Sequence, residues 1–490
     1  MRHILACGTA ALLLVACQTP APELTQAEFN ASASAMRADI ANSADAVAAP
    51  ITIYEAMARG LKNNLDHRVA MMELDLAKRD FELSTYDQLP EVVASGAFFG
   101  RDNEAGARSL SLLTGTQSLE PSTSLERTYS AGDLTASWNI LDFGLARIRS
   151  EQLSNEAHIA EERRRRAVVS IMEDIHRAYW RAVSAERLSR RIDAMEADVR
   201  RSFEDSRALY QGGRTAPMPA LSYQRELNDI QAQAQRLSRE MGEAKAELAA
   251  LMGLSPDRPF TIAVPARFEA PQRLNMSLSD MMDLALATRP EVREAAYRIR
   301  ISDAELRKAT LEAFPSLEGF AGVNASTNDF LFNQDWVSYG ARASWNLLRV
   351  FETPARKRRA KAQGRVEREK ALAAAMAVMT QVAVSRLRYE ALSEEYRTAE
   401  SGAMVQGDIT SLISKQAQAS SASRQTLVRE QMNAILSEAR RDAVHAYMRE
   451  AEAQVYSALG MDPYPVGITG TEDLTVLTEH LRAFWQGRPR

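Results

Sequence analysis

The chain has 490 residues, of which 46% are hydrophobic and 25% are charged, so it can bury a sizeable core. Its formal net charge of -4 is nearly balanced, which gives no electrostatic reason to expect nucleic acid as a partner. The low glycine and proline contents, together with long tracts of Ala, Glu, Arg, Leu and Gln, indicate extended helices.

The first residues have the pattern of a secretion signal. A short basic start precedes an apolar run from Ile4 to Ala16, which is too short to span a membrane as a helix. The segment Leu14–Cys17 resembles a bacterial lipobox, which predicts that residues 1–16 are a lipoprotein signal peptide. An ordinary secretory signal followed by a chance cysteine is the alternative.

Cys17 would then be the lipidated first residue of the mature chain, at the start of an N-terminal segment 17–50. Several acyl chains on one residue give the multiple signals that stable membrane anchoring requires. By the same resemblance, Gln18 favours delivery to the outer membrane. Because no other cysteine follows the signal, we expect no intrachain disulfide and no cofactor besides the covalent lipid. No later run of eighteen apolar residues exists, so any membrane crossing would have to use strands.

The rest of the chain contains an internal repeat. The segment Thr52–Pro90 aligns without a gap on Ser277–Pro315 at an offset of 225 residues. Two further pairs of segments align at an offset of 207: 136–141 with 343–348, and 251–254 with 458–461. The difference in length therefore falls in one loop, about 101–129, while the long segments are matched. The predicted units are a first repeat 51–254, a linker 255–275, a second repeat 276–461 and an equatorial tail 462–490.

Each repeat begins with a helix and continues as strands. Thr52 with Glu55, and Ser277 with Asp280, form capping-box-like helix starts. A proline then ends the helical structure in each copy. Four strands are predicted, at about 91–100, 131–141, 317–325 and 336–348.

The strands alternate apolar and polar residues, most clearly between positions 337 and 347. Strict alternation over about ten residues is typical of a transmembrane barrel strand with one side toward lipid and the other toward water. A soluble hairpin with one buried face would give the same pattern. Trp138, Tyr339 and Trp345 are predicted to lie in an interfacial aromatic belt.

Two long helical hairpins follow the strand pairs, predicted at 144–253 and 354–460. The first outgoing arm, of about sixty residues, would reach roughly 100 Å. Its return arm carries an unbroken heptad pattern of apolar residues, as in a coiled coil: Leu227, Ile230, Ala234, Leu237, Met241, Ala244, Leu248 and Leu251.

Four strands are too few to close a barrel, and open strand edges are not tolerated in lipid. Three copies of the chain would supply twelve strands and two equal hairpins each, which predicts a homotrimer. Equal hairpin lengths would be needed because a short hairpin would leave a notch in the wall.

This order of elements, with the lipobox and the matched repeats, resembles the outer-membrane efflux protein (TolC) family over essentially the whole mature chain. The resemblance implies a mixed α/β membrane protein with a trimeric 12-stranded β-barrel continued by an α-helical coiled-coil tunnel. It also implies a passive channel in the outer membrane of a Gram-negative bacterium, driven by an inner-membrane transporter through a periplasmic adaptor. A periplasmic adaptor lipoprotein is the alternative, although it would need one hairpin between glycine-rich β-modules.

The hairpin tips are where the resemblance places docking and gating. The turn Gly212, Gly213, Arg214, Thr215 and Ala216 resembles the family's tip motif and is the predicted adaptor-docking site. The second tip, 418–424, has no glycine. Arg424 and Arg429 occupy the stretch where many relatives carry acidic gate residues. They are predicted either to ring a constriction or to be solvated or ion-paired.

No motif for catalysis or metal binding accompanies these features. The histidines are scattered, and glycine-rich phosphate loops and hydrolase motifs are absent from the sequence, so we expect neither an enzyme nor a metal site. The charged run Glu161–Arg166 is best explained by a solvated helix face with ion pairs. The sequence identifies neither the cargo nor the pump.

Overall fold

The computed structural model describes residues 23–43, 45–47, 49–118, 120–419, 423–465, 467–468 and 470–487. The predicted signal peptide and Cys17 lie outside these residues. The elements in chain order are α1 (Gln26–Ser43), α2 (Ile53–Asn63), α3 (Leu65–Tyr86), β1 (Glu91–Gly100), β2 (Thr128–Asn139), α4 (Ile140–Gln211), α5 (Pro217–Leu251), α6 (Leu278–Thr288), α7 (Pro290–Leu311), β3 (Ser316–Ser326), β4 (Asp335–Ser344), α8 (Leu347–Gln418), α9 (Arg424–Ala458) and α10 (Leu474–Gln486).

The internal repeat is confirmed by the lengths of the helices. Helices α4 and α8 both have 72 residues, and α5 and α9 both have 35. The shorter helices match as well, because α2 and α6 have 11 residues each and α3 and α7 have 22. A helix of 72 residues spans roughly 110 Å. The fold class predicted for one chain, four strands joined to two long helical hairpins, is therefore confirmed.

The long helices begin earlier than predicted. Gly144 and Pro354 were the predicted starts, but α4 begins at Ile140 and α8 at Leu347. The cause is a pair of asparagine caps, because the Asn139 and Asn346 side chains each accept two backbone N–H groups of the first turn. Pro354 is therefore accommodated inside α8 rather than at its start.

The same caps shorten two predicted strands. Strand β2 ends at Asn139 rather than at position 141, and β4 ends at Ser344 rather than at position 348. The four strands form one antiparallel sheet in the order β1-β2-β3-β4. None of the described helices contains an apolar stretch of the length that a membrane crossing requires.

Both hairpins end in a glycine in the left-handed region. Gly253 and Gly460 each have a φ of 68°. A Cβ on Gly253 would lie 2.6 Å from the Asn63 carbonyl oxygen, and one on Gly460 would lie 2.8 Å from the Arg289 backbone nitrogen. Glycine is therefore needed twice over, for the turn and for the close approach of the hairpin end to the short helices.

The core has three apolar clusters. One joins α2, α4, the end of α5 and α10 around Ile175 and Leu477, and a second joins α6, α8 and α9 around Met448. The third cluster lies between the halves of the two hairpins that are nearer their tips. It contains much of the predicted heptad pattern, including Leu227 and Ile230. Phe268 of the linker packs against the first two clusters and so ties the repeats together.

Candidate functional site

The sheet separates apolar and polar side chains onto two faces. In the observed register, Leu134 pairs with Val323 and Val323 pairs with Val337, so alternation within each strand places like residues side by side. The apolar face consists of Val92, Ala94, Phe98, Leu134, Ala136, Trp138, Leu317, Ala321, Val323, Val337, Tyr339, Ala341 and Ala343. Because this face is exposed in one chain, it is a surface for lipid or another apolar partner.

The three predicted belt aromatics lie on or next to this face. Trp138 is 46% exposed, Tyr339 is 83% exposed and Trp345 is 54% exposed. Trp138 and Trp345 lie where the sheet meets the long helices, whereas Tyr339 lies further along β4, opposite Ala321. The structure thus places the two tryptophans at one height and the tyrosine at another.

The opposite face is lined by hydrogen-bonded polar groups. The Asp133 carboxylate accepts hydrogen bonds from the hydroxyls of Ser95 and Thr135. Arg342 lies 3.9 Å from Glu318 on the neighbouring strand. This face can therefore line a water-filled space. Apolar residues that the alternation did not predict also lie on this face: Val93, Phe99, Tyr129, Phe320 and Trp336. The rings of Phe99 and Tyr129 stack 4.9 Å apart at the loop end of the sheet.

The first hairpin tip is a tight exposed turn. The Arg214 N–H donates to the Leu209 carbonyl at 3.0 Å, and Gly213 adopts a φ of 65°. This bonding pattern closes the C-terminus of α4, and Pro217 starts α5 at a position where its missing N–H is not needed. The predicted docking residues are thus held together on one exposed turn.

Arg424 and Arg429 lie on the first two turns of α9 and face the other hairpin. Arg424 is 4.0 Å from Asp205, and Arg429 is 3.7 Å from Glu226 and 3.4 Å from Glu430. The structure therefore places both arginines in ion pairs, one of the two arrangements that the sequence left open. A cavity of about 340 Å³ opens beside Arg424 between the two tips. Of the second tip, residues 420–422 lie outside the described part.

Further from the tips, ion pairs that the sequence did not predict connect the two hairpins, and one of their carboxylates is buried. Asp442 of α9 is 1% exposed and pairs with Arg187 of α4 and with Arg441. Burial raises the pKa of this carboxyl and the two guanidinium groups oppose that shift. Arg191 and Glu438 pair at 2.7 Å one turn away. These partners are about 250 residues apart, so no local pattern could have revealed them.

The charged run Glu161–Arg166 in α4 also forms ion pairs with other elements. Arg163 lies 3.2 Å from Glu294 of α7, and Arg165 lies 3.1 Å from Asp462 of the tail. The sequence predicted ion pairs on a solvated helix face, and in the structure these ion pairs connect the first repeat to the second repeat and the tail.

The arrangement can be compared with known proteins. The sequence profile of the outer membrane efflux protein family matches residues 56–254. A probable outer membrane lipoprotein of Salmonella typhimurium, SilC, is 21% identical over 308 residues, covering 62% of this chain and 60% of that protein. The cation efflux system protein CusC of Escherichia coli K12 is 23% identical over 305 residues, covering 61% of this chain and 60% of that protein. The chain thus matches about 60% of the length of these relatives.

The fold extends further than the sequence match. The crystal structure of the CmeC outer membrane channel of Campylobacter jejuni superposes with a TM-score of 0.64 at 13% identity, covering 88% of this chain and 89% of that chain. The fold is therefore that of an outer-membrane channel. Residues 56–254 are thus similar in sequence to the outer membrane efflux protein family, and most of the chain shares its fold with an outer-membrane channel.

Proposed function

We propose that the chain is the outer-membrane channel component of a tripartite efflux or export system, acting as a homotrimeric passive conduit from the periplasm to the exterior. The observation that carries the proposal is the four-stranded sheet with one apolar face and two unpaired edges, β1 and β4. In lipid such edges must be paired. Two further copies would pair them and complete a twelve-stranded barrel.

The helices support the same assembly. Because α3 packs on α4, α4 on α7 and α7 on α8, helices α3 and α8 form opposite edges of the chain. Each edge exposes an apolar stripe, consisting of Leu65, Val69, Met72, Leu76 and Leu83 on α3, and of Met376, Val384, Leu387, Val405 and Ile409 on α8. The α3 stripe lies beside the sheet and the α8 stripe extends toward the hairpin tip, where Gln406 bonds to Glu430. Each stripe is suited to packing against a helix of a neighbouring copy at its own height.

The role is passive, with no reaction catalysed by the chain's own residues, and the energy comes from an inner-membrane transporter reached through a periplasmic adaptor. The proposed adaptor-docking tip is the turn at 212–216. A covalent lipid on Cys17 would be the only non-protein group and would anchor the N-terminus to the membrane. The name of CusC refers to cation efflux, but we assign no cargo to this chain.

The proposal is tested on the full-length protein solubilised from the outer-membrane fraction. A trimer that migrates as a heat-modifiable band and conducts ions in planar bilayers supports it. A monomer recovered from the soluble periplasmic fraction would refute it.

Docking is tested separately with single cysteines, since Cys17 is the only other cysteine in the mature chain. Arg214→Cys at the first tip should crosslink to a periplasmic protein in cells. Ser423→Cys reports on the second tip. Arg258→Cys, in the linker between the repeats, is the control and should remain free.

A further inference from the structure

Basic residues are distributed unevenly between the two long helices below the sheet. Between positions 347 and 372, α8 carries nine basic and three acidic residues. The matching stretch of α4, positions 140–165, carries five of each. The excess of positive charge therefore belongs to one helix and is not a property of the repeat.

Part of this charge is neutralised locally. Arg356 pairs with Glu352 at 3.0 Å, and Arg368 lies 3.5 Å from Asp303. Lys370 pairs with Glu367 at 2.9 Å. The other six basic side chains have no carboxylate within 4 Å among the described residues: Arg349, Lys357, Arg358, Arg359, Lys361 and Arg365. Arg358, Lys361 and Arg365 are exposed and Lys357 is half-buried beside them, and we call these four residues the basic surface of α8.

The strand register shows which way this surface faces. The apolar face of β4 is formed by odd-numbered residues, and both Trp345 and Leu347 continue that alternation and are exposed. A helix brings residues back to the same side every 3.6 positions. Arg358 and Arg365 therefore lie on the same side of α8 as Leu347, and Lys361 lies beside them. The basic surface continues the apolar face of the sheet.

The end of this surface next to the sheet lies near the edge of a bilayer, and the surface extends from there into the periplasm. Arg358 is eleven residues beyond Leu347, roughly 16 Å along the helix. Helical side chains lean toward the N-terminus, which here means toward the sheet, so the guanidinium group lies closer to the membrane than its Cα. Between the two, Leu348 and Phe351 are exposed and apolar. The order from sheet to periplasm is thus apolar, aromatic and then basic.

We propose that the basic surface of α8 binds the phosphate groups of anionic phospholipids in the leaflet that faces the periplasm. The proposal rests on the membrane placement of the sheet. Charge complementarity and continuity with the apolar face favour lipid as the occupant, because clustered Lys and Arg next to a membrane-spanning segment attract anionic headgroups. Each of three copies would carry one such surface on its outer side.

The test uses the full-length protein in nanodiscs made of phosphatidylglycerol and phosphatidylcholine in equal amounts. Native mass spectrometry counts the two lipids retained by the protein. The test variant is K357Q/R358Q/K361Q/R365Q. The control is R190Q/R200Q/R207Q/R236Q, which removes the same charge from exposed, unpaired arginines on the distant half of the first hairpin.

The wild type and the control should both retain phosphatidylglycerol in preference to phosphatidylcholine. The test variant should lose at least about tenfold of that preference. An unchanged preference in the test variant, or an equal loss in the control, would overturn the proposal. A wild type that enters the nanodisc and conducts ions but shows no lipid preference refutes this inference alone. A wild type that fails to enter bilayers refutes the proposed function as well.

Discussion

His445 is an ionisable residue in the interior of the junction between the two repeats. It is 1% exposed and stacks on Phe268 with a ring separation of 4.2 Å. Neither ring nitrogen has a hydrogen-bond partner within the described residues. Burial, with Arg449, Arg441 and Arg187 nearby, lowers its pKa from 6.5 to about 2. The folded protein therefore holds His445 neutral.

This neutral histidine predicts a pH dependence of stability. The unfolded chain binds a proton near pH 6.5 and the folded chain does not, so stability is fully present above that pH and is lost as the pH falls toward 2. At pH 5 the loss should be about 2 kcal/mol relative to pH 7.5. His445→Phe keeps the stacking and should remove that part of the dependence. Thermal unfolding followed by circular dichroism checks this, with exposed His480→Phe as a control that leaves the dependence intact.

Glycine can be required by a positive φ or by the close approach of another backbone, and Gly253 and Gly213 allow the two effects to be compared. Both have a positive φ, but a Cβ on Gly253 would clash with the Asn63 backbone, whereas one on Gly213 would meet nothing within 4 Å. Gly213→Ala should cost only the left-handed conformation, about 1 kcal/mol. Gly253→Ala should cost several times more and lower the unfolding temperature accordingly. Equal effects would show that the close approach is relaxed easily.

Arg429 tests the proposed constriction. If the arginine lines the conduit, Arg429→Ala leaves Glu226 and Glu430 without their cation and should raise the preference of the channel for cations. Single-channel recording of conductance and reversal potential measures this, with Arg236→Ala, which changes an exposed arginine of α5, as the control. Unchanged conductance and ion selectivity would assign Arg429 to the ion pairs alone.

At the scale of elements, the contact between the hairpins combines an apolar cluster with buried ion pairs. Asp442→Asn would leave the partly buried Arg441 without its carboxylate and Arg187 with Glu438 alone, so we expect a loss of about 3 kcal/mol in unfolding free energy. Asp205→Asn breaks the exposed pair with Arg424 and should change stability by less than about 1 kcal/mol. Thermal unfolding of the two variants in the same detergent measures both losses of stability. Similar losses for Asp442→Asn and Asp205→Asn would contradict this expectation.

The sequence alone predicts those structural features that follow a short repeating pattern of apolar residues. Alternation identified the apolar faces of the two returning strands, β2 and β4, whereas β1 and β3 were predicted from the prolines that precede them. The heptad pattern identified the buried side of α5. The predicted helix starts at Gly144 and Pro354 are wrong because the side chains of Asn139 and Asn346 cap the backbone further upstream and determine where the first turn forms. The pairing of Asp442 depends on the distance between two hairpins, which no local pattern encodes.

For the whole molecule, the equal lengths of the hairpins are the feature with the most direct consequence. Both hairpins have arms of 72 and 35 residues. If three copies form a ring, every arm contacts a neighbour along its full length. A hairpin shortened by one heptad per arm would end roughly 10 Å before the others and lose the contacts of that stretch.

Deleting 403–409 and 432–438 shortens only the second hairpin and keeps the heptad register. We expect this variant to form a trimer that dissociates at a lower temperature and conducts with a leak, because its wall has three gaps. Deleting 196–202 and 225–231 as well shortens both hairpins equally and should restore the thermal stability of the trimer in part. Semi-native gel electrophoresis over a temperature series measures both variants. If the doubly shortened protein were less stable than the singly shortened one, matched length would not be the constraint that keeps the two repeats equal.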